Sequence, residues 1–190
     1  MQYSFDGQSW NSLPILEKPA VPAGRKIYIR AGETGQNNFA SDLGVNYAAR
    51  FQLTGSEFKV SGEMLSLLKQ TPITQFTSQN NRAFAYAFYA CEKLVDASQL
   101  VMPDFSIGYE CYNMFQGCTS LTAAPALPAT KLASNCYNNM FQGCTSLSVP
   151  PPELPATTLT ENCYGFMFQD CTSLTAAPAI SGMTLATNCC

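Results

Sequence analysis

Histidine is absent from this 190-residue chain. With it go the commonest general base, the usual Ser-His and Cys-His nucleophile systems and most catalytic zinc sites. Charge is sparse as well: Asp, Glu, Lys and Arg make up 12 % of the residues, and the formal net charge is −3. Nine of the ten basic residues fall within residues 1–93, and from Leu94 onward Lys131 alone opposes Asp96, Asp104, Glu110, Glu153, Glu161 and Asp170. Nucleic-acid binding requires clustered Lys and Arg, so no nucleic-acid partner is expected. No run approaches the roughly 18 apolar residues that span a bilayer. The opening Met1-Gln2-Tyr3-Ser4-Phe5-Asp6-Gly7 lacks the basic and apolar regions of a signal peptide. If the protein is exported, its signal is expected to lie outside these residues.

What the chain has instead is repetition. Met114-Phe115-Gln116-Gly117-Cys118-Thr119-Ser120-Leu121 returns over Met140–Leu147 and, with Asp170 in place of Gly, over Met167–Leu174. An earlier copy, Ala87–Leu94, keeps Phe88, Cys91 and Leu94 at the same offsets. Cys91, Cys118, Cys144 and Cys171 are spaced by 27, 26 and 27 residues, and a fixed period in that range marks an array of stacked units. Inside each unit Leu121, Ala124, Leu127, Leu132, Cys136, Phe141 and Cys144 are answered by Leu147, Leu154, Leu159, Cys163, Phe168 and Cys171. Neither a period of 3.6 nor one of 2 fits the whole unit, whereas a coil whose marked side chains point at one axis does. One such coil leaves both faces of its apolar columns wet, so it is stable only when stacked on neighbours.

These residues carry a family resemblance. Cys136-Tyr137-x-x-Met140-Phe141-Gln142-Gly143-Cys144-Thr145-Ser146-Leu147, together with Ala124-Pro125-x-Leu127-Pro128-Ala129-Thr130, resembles the 26-residue repeat of BspA-like leucine-rich-repeat proteins, a set of bacterial surface proteins. The likeness covers about residues 83–190. It implies a leucine-rich-repeat solenoid, extracellular or cell-surface, engaged in adhesion and in binding a protein or glycan on a host or neighbouring cell. It implies no catalytic residues and no cofactor. Tyr3-Ser4-Phe5-Asp6-Gly7 and Val60-Ser61-Gly62-x-Met64-x-Ser66-Leu67-Leu68 also resemble segments that family members join to such repeats. By that likeness residues 1–82 are a β-rich N-terminal cap and residues 83–190 about four coils.

In chain order, Asp6-Gly7 between Tyr3–Phe5 and Gln8–Trp10 predicts a tight β-hairpin. Lys26–Arg30, Phe51–Leu53 and Phe58–Val60 alternate as strands do, and the Gly, Asn and Ser of residues 32–46 predict a mobile loop. Ser61 is placed to cap a short helix reaching Leu68. In each coil the segment after the Leu, such as Leu121–Pro128, is expected to be a short parallel strand plus turn, with Pro125 and Pro128 limiting its length. Met-Phe-Gln-Gly-Cys is expected to be a compact helical or 3₁₀ turn. The Leu94 coil carries two more residues before Met102-Pro103 than the Leu121 coil does before Leu127-Pro128, which puts the variable length near the strand. The last coil is expected to be incomplete: Ile180, Leu185 and Cys189 hold column positions, but Cys190 stands where Tyr112, Tyr137 and Tyr164 stand. Self-association through that uncapped coil follows as an expectation.

Three groups of residues are candidate sites. The cysteines form two columns, Cys91, Cys118, Cys144, Cys171 and Cys111, Cys136, Cys163, Cys189, with Cys190 left over. Their spacing does not suit a zinc knuckle. A disulfide ladder is geometrically open to neighbouring coils, while buried free thiols suit the apolar character of the columns. Tyr112, Tyr137 and Tyr164, with Gln116, Gln142 and Gln169 beside them, form either a recognition stripe or a packed aromatic seal. Asp170, Glu153 and Glu161 are the only acids available to a hydrolytic pair in the coils they occupy, and they fall at non-equivalent positions. The sequence thus reads as a non-catalytic binding protein, with a purely structural spacer of a cell-envelope or phage assembly as the alternative.

Overall fold

Phe115 and Phe141 show how the repeats relate in space: their rings lie 5.4 Å apart and within 6° of parallel. Phe88 stacks on Phe115 at 5.3 Å, Phe168 on Phe141 at 5.8 Å, and Phe51 on Phe88 at 5.2 Å. Five rings therefore form one column, each contact contributing roughly 0.5–1.5 kcal/mol beyond simple burial. The computed structural model describes residues 2–12, 22, 25–30, 51, 55–64, 84–104, 111–181 and 184–190. The loop anticipated over residues 32–46 lies outside them.

The other columns follow the rings. Leu94, Leu121 and Leu147 are fully buried, as are Cys118 and Cys144, while Leu127, Leu154, Leu132 and Leu159 lie below them with little exposure. Phe168 is only half-buried, and the residues continuing the columns, Ile180 and Leu185, are 53 % and 71 % exposed. The core is thus closed by neighbours through Leu147, and its columns are more exposed from Phe168 onward.

Backbone bonding of the Met-Phe-Gln-Gly-Cys segments departs from the anticipated helical turn. Alternate amides stay within the layer: Met114 donates to Cys111 C=O, Gln116 to Asn113 C=O and Cys118 to Phe115 C=O, at 3.1, 3.2 and 3.0 Å. The amides between them leave the layer: Asn113, Phe115 and Gly117 donate to Asn138, Met140 and Gln142 C=O at 3.1, 2.9 and 2.8 Å. A helix would keep all of these donors to itself. Left-handed residues every fourth position redirect them outward: Tyr86 and Ala90, Asn113 and Gly117, Asn135, Asn139 and Gly143, Asn162, Phe166 and Asp170. Asn and Gly tolerate that backbone best, which explains their recurrence. The segments are consecutive turns that form a hydrogen-bonded wall from layer to layer.

Opposite that wall, pairing is parallel but brief. Bridges link Asp96 to Ala123 and Ala123 to Val149, and Lys131 to Thr158 and Thr158 to Thr184. Two longer pairs flank them. Strand β4 (Phe58–Glu63) runs parallel to β5 (Leu94–Val101), and β6 (Glu153–Leu154) runs parallel to β7 (Ala179–Ile180). The two extra residues of the Leu94 unit are absorbed in β5, the longest strand described, whose register with β4 shifts twice. Ser61 does not cap a helix. It lies in β4 opposite Gln99, because pairing with β5 gives residues 61–63 a ladder; the rest of that anticipated helix, beyond Met64, lies outside the described residues. With Phe51 in the ring column, Phe58 donating to Lys93 C=O at 3.0 Å and Met64 only 1 % exposed, Phe51 and residues 55–64 repeat the layer pattern upstream of Ala83.

The N-terminal hairpin is wider than anticipated. Strands β1 (Gln2–Ser4) and β2 (Asn11–Ser12) pair antiparallel with Tyr3 opposite Asn11, and β3 (Tyr28–Arg30) pairs on the other side of β1. The connection is Phe5–Trp10 instead of two residues. One oxygen of the Asp6 carboxylate accepts from the Gln8 and Ser9 amides, both at 2.7 Å, and from the Ser4 hydroxyl, so the side chain organises a broad loop. These donors hold the Asp6 carboxyl well below the usual carboxylate range.

Candidate functional site

Alternation along each wall segment decides which side chains face outward. Phe115 and Cys118 point to the core, so Gln116 and Thr119 project from the surface, and the repeats reproduce the choice at Gln142 and Thr145, Gln169 and Thr172. The glutamine amides bond to one another. Gln116 Nε2 donates to Gln142 Oε1, Gln142 Nε2 donates to Gln169 Oε1 at 2.6 Å, and Asn113 Nδ2 donates to Gln116 Oε1 at 2.5 Å. This amide ladder runs in one direction and leaves the exposed Gln169 amide at its end.

Three residues further along each coil, hydroxyls are tethered in the same way. Thr145 and Thr172 Oγ1 donate to the Thr119 and Thr145 carbonyls at 3.3 Å, and Thr122 Oγ1 donates to Val95 C=O at 2.8 Å. Thr119, Thr145 and Thr172 are all exposed. The Thr145 and Thr172 hydroxyls use their protons on the protein and keep acceptor capacity at the surface. The result is an ordered, uncharged row of acceptors at about the 4.8 Å layer spacing.

The tyrosines do not form an open stripe. Tyr137 and Tyr164 are 2 % and 4 % exposed and stack at 5.9 Å, while the half-buried Tyr112 packs edge-on against Tyr86 at 5.6 Å. Of the anticipated stripe, Gln116, Gln142, Gln169 and part of Tyr112 face outward, whereas Tyr137 and Tyr164 seal the core. Tyr164 Oη is buried without a hydrogen-bond partner, and burial raises its phenol above the usual range.

All nine cysteines are free thiols, eight buried and Cys190 exposed. Those of the first column act as donors. Cys91, Cys118, Cys144 and Cys171 Sγ reach the carbonyls of Phe51, Phe88, Phe115 and Phe141, in the preceding layer, at 3.2, 3.0, 3.1 and 3.1 Å. A thiol is apolar enough for the core yet satisfies the second lone pair of each carbonyl. Burial pushes the Cys118 and Cys144 thiols far above their usual range, reinforced by neighbouring thiols of the same column, and pushes Cys171 up to about 11.

Glu153 in β6, Glu161 and Asp170 are all exposed, with Glu161 opening and Asp170 closing the same turn segment. Among the described residues no group of three or more Cys, Asp or Glu is placed to hold a metal ion. Also among the described residues, no helix is long and apolar enough to cross a membrane. Shallow depressions interrupt the surface of the described residues. One of about 270 Å³ lies between Ser98–Met102 and Ala126–Pro128, and one of about 360 Å³ is lined by Leu154, Tyr164, Phe166, Phe168, Ile180 and Cys190.

The tethered threonine row was not singled out from the sequence, although the Cys-Thr-Ser-Leu repeat contains it. The left-handed positions were missed too, despite the even spacing of Asn135, Asn139 and Gly143. Compared with known proteins, the chain matches no family model, no curated protein and no solved structure.

Proposed function

We propose that this chain is a non-catalytic leucine-rich-repeat solenoid of a secreted or cell-surface protein, which adheres to a glycan or protein partner through its outer wall. The stacked phenylalanine column and the parallel bridges support the solenoid reading, and the likeness of the repeats to BspA-like sequences supports the location. The observation that carries the binding role is the tethered polar wall: Gln116, Gln142 and Gln169 bonded in a ladder, beside hydroxyls held against carbonyls of the preceding layer. Such groups lose little side-chain freedom on binding, so their remaining acceptors and donors engage a neutral, hydroxyl-rich ligand at low entropic cost. A glycan fits that chemistry better than a charged surface.

Screening the full chain against a glycan array and a panel of surface proteins tests the proposal. Thr145→Arg, at an exposed position, is expected to cut binding about tenfold or more by placing an unmatched charge in the row. Absence of binding throughout would favour the second reading, a structural spacer without its own ligand. That reading draws on the same ladder, since the glutamines already satisfy one another. Self-association through the exposed apolar residues Phe166, Ile180 and Leu185 also belongs to the proposed behaviour.

A further inference from the structure

We propose that Cys189 and Cys190 form a vicinal dithiol site that reacts with small disulfides of the glutathione type and closes to a disulfide between the adjacent residues. The two Sγ atoms lie 3.5 Å apart. Cys189 is buried in line with Cys111, Cys136 and Cys163 of the second thiol column, whereas Cys190 is exposed and lines the depression of about 360 Å³. Solvent therefore reaches the pair through Cys190, and Cys189 is positioned to resolve what forms there. The first-column thiols are buried and turned toward carbonyls, which protects them from the same reagents.

The chemistry balances in two exchanges. Cys190 thiolate attacks one sulfur of the small disulfide, giving a mixed disulfide and releasing one small thiol, which takes up the proton Cys190 lost. Cys189 then attacks Cys190 Sγ, forms the intrachain bond and releases the second small thiol with the proton from Cys189. Two protein thiols are oxidised and one small disulfide is reduced to two thiols.

Closing this ring reorients the peptide between Cys189 and Cys190. The Cys189 carbonyl accepts from the Tyr164 amide at 2.9 Å and faces Cys163 Sγ at 3.8 Å. Oxidation therefore loosens the rung beneath Tyr164, whose hydroxyl already lacks a partner. The pair acts as a redox-sensitive fastening for the rung between Tyr164 and Cys189.

The folded full chain is incubated with oxidised glutathione, its remaining thiols are alkylated, and peptides are mapped by mass. The expected product lacks two hydrogens within the Cys189-Cys190 peptide, and amide exchange at Tyr164 quickens. Reaction should speed up with pH, because burial and the Cys189 contact hold the Cys190 thiol up at about 11. Cys190→Ser, at an exposed site, should slow thiol loss about tenfold or more. Cys189→Ser should retain one glutathione on Cys190. A wild-type product that stays a mixed disulfide, a dimer linked through Cys190, or a Cys163–Cys189 bridge would overturn the proposal.

Discussion

Cysteine at the first inner column combines two properties that no other residue offers together: it packs like an apolar side chain and donates to a carbonyl in the layer before it. Its ionisation sets a limit on stability at alkaline pH. An unfolded thiol ionises near pH 8.5, whereas Cys118 and Cys144 are held far above that and Cys171 at about 11. Raised folded values mean that the stabilisation is complete below the unfolded value and is lost as pH climbs toward the folded one. Over that window the native state retains protons that the unfolded chain has released. Each buried thiol then costs about 1.4 kcal/mol per pH unit. Denaturant midpoints measured at pH 8, 9 and 10 should fall, and Cys144→Ala should flatten the decline because it removes one titrating group. Equal midpoints at all three pH values would contradict the buried-thiol account.

Phe166 presents a different problem at the same scale. It takes the left-handed position that Asn113 and Asn139 occupy in earlier layers, with φ of 52°, and it is 61 % exposed. A bulky residue there bears about 1–2 kcal/mol of strain and recovers little of it by burial. Phe166→Asn is therefore expected to raise stability by about 1 kcal/mol, read as a higher denaturant midpoint with unchanged slope. A lower midpoint would show that the ring carries more packing than its exposure indicates.

Elements are where sequence and structure part most clearly. The inward positions were legible, because Leu, Phe and Cys recur at fixed offsets, and the ring column follows from that recurrence. Phe141, with no exposure and a ring on each side, should cost about 3–5 kcal/mol when truncated to Ala. Phe51→Ala, at the half-buried end of the column, should cost less, and thermal or denaturant unfolding of both variants checks the order. The wall segments were expected as compact helical or 3₁₀ turns, and they are turns with bonds between residues three apart, but only alternate amides make those bonds. Bonds to the next layer take the amides between them, and only the Asn and Gly spacing hinted at that. At Ser61, capping chemistry suggested a helix start, yet pairing with β5 claimed the same residues for a strand. Burial of Tyr137 and Tyr164 had no signature distinct from that of exposed tyrosines. A column of identical side chains looks the same in sequence whether it lines the core or the surface.

In the whole molecule, the exposed apolar side chains and the uneven charge carry a consequence for association. Phe166, Phe168 and Ile180 line one depression, with Phe166 and Ile180 exposed and Phe168 half-buried. Charge is polarised along the chain. Residues 1–93 carry nine basic and seven acidic residues, a balance of +2, and residues 94–190 one basic and six acidic, a balance of −5, which together restore the total of −3. In the proposed self-association, a second copy would bring its basic half toward this apolar surface in the acidic half. Such head-to-tail contact is heterologous and extends into chains of copies instead of closing into a dimer. Mass measured by light scattering should accordingly rise with protein concentration without a plateau at two copies. Added salt should weaken the electrostatic share. Ile180→Asp, at an exposed position, should lower association about tenfold or more without loss of fold, since it adds a desolvated charge to the contact. A single monomeric mass at every concentration would sink this account, while a plateau at two copies would replace it with a symmetric interface.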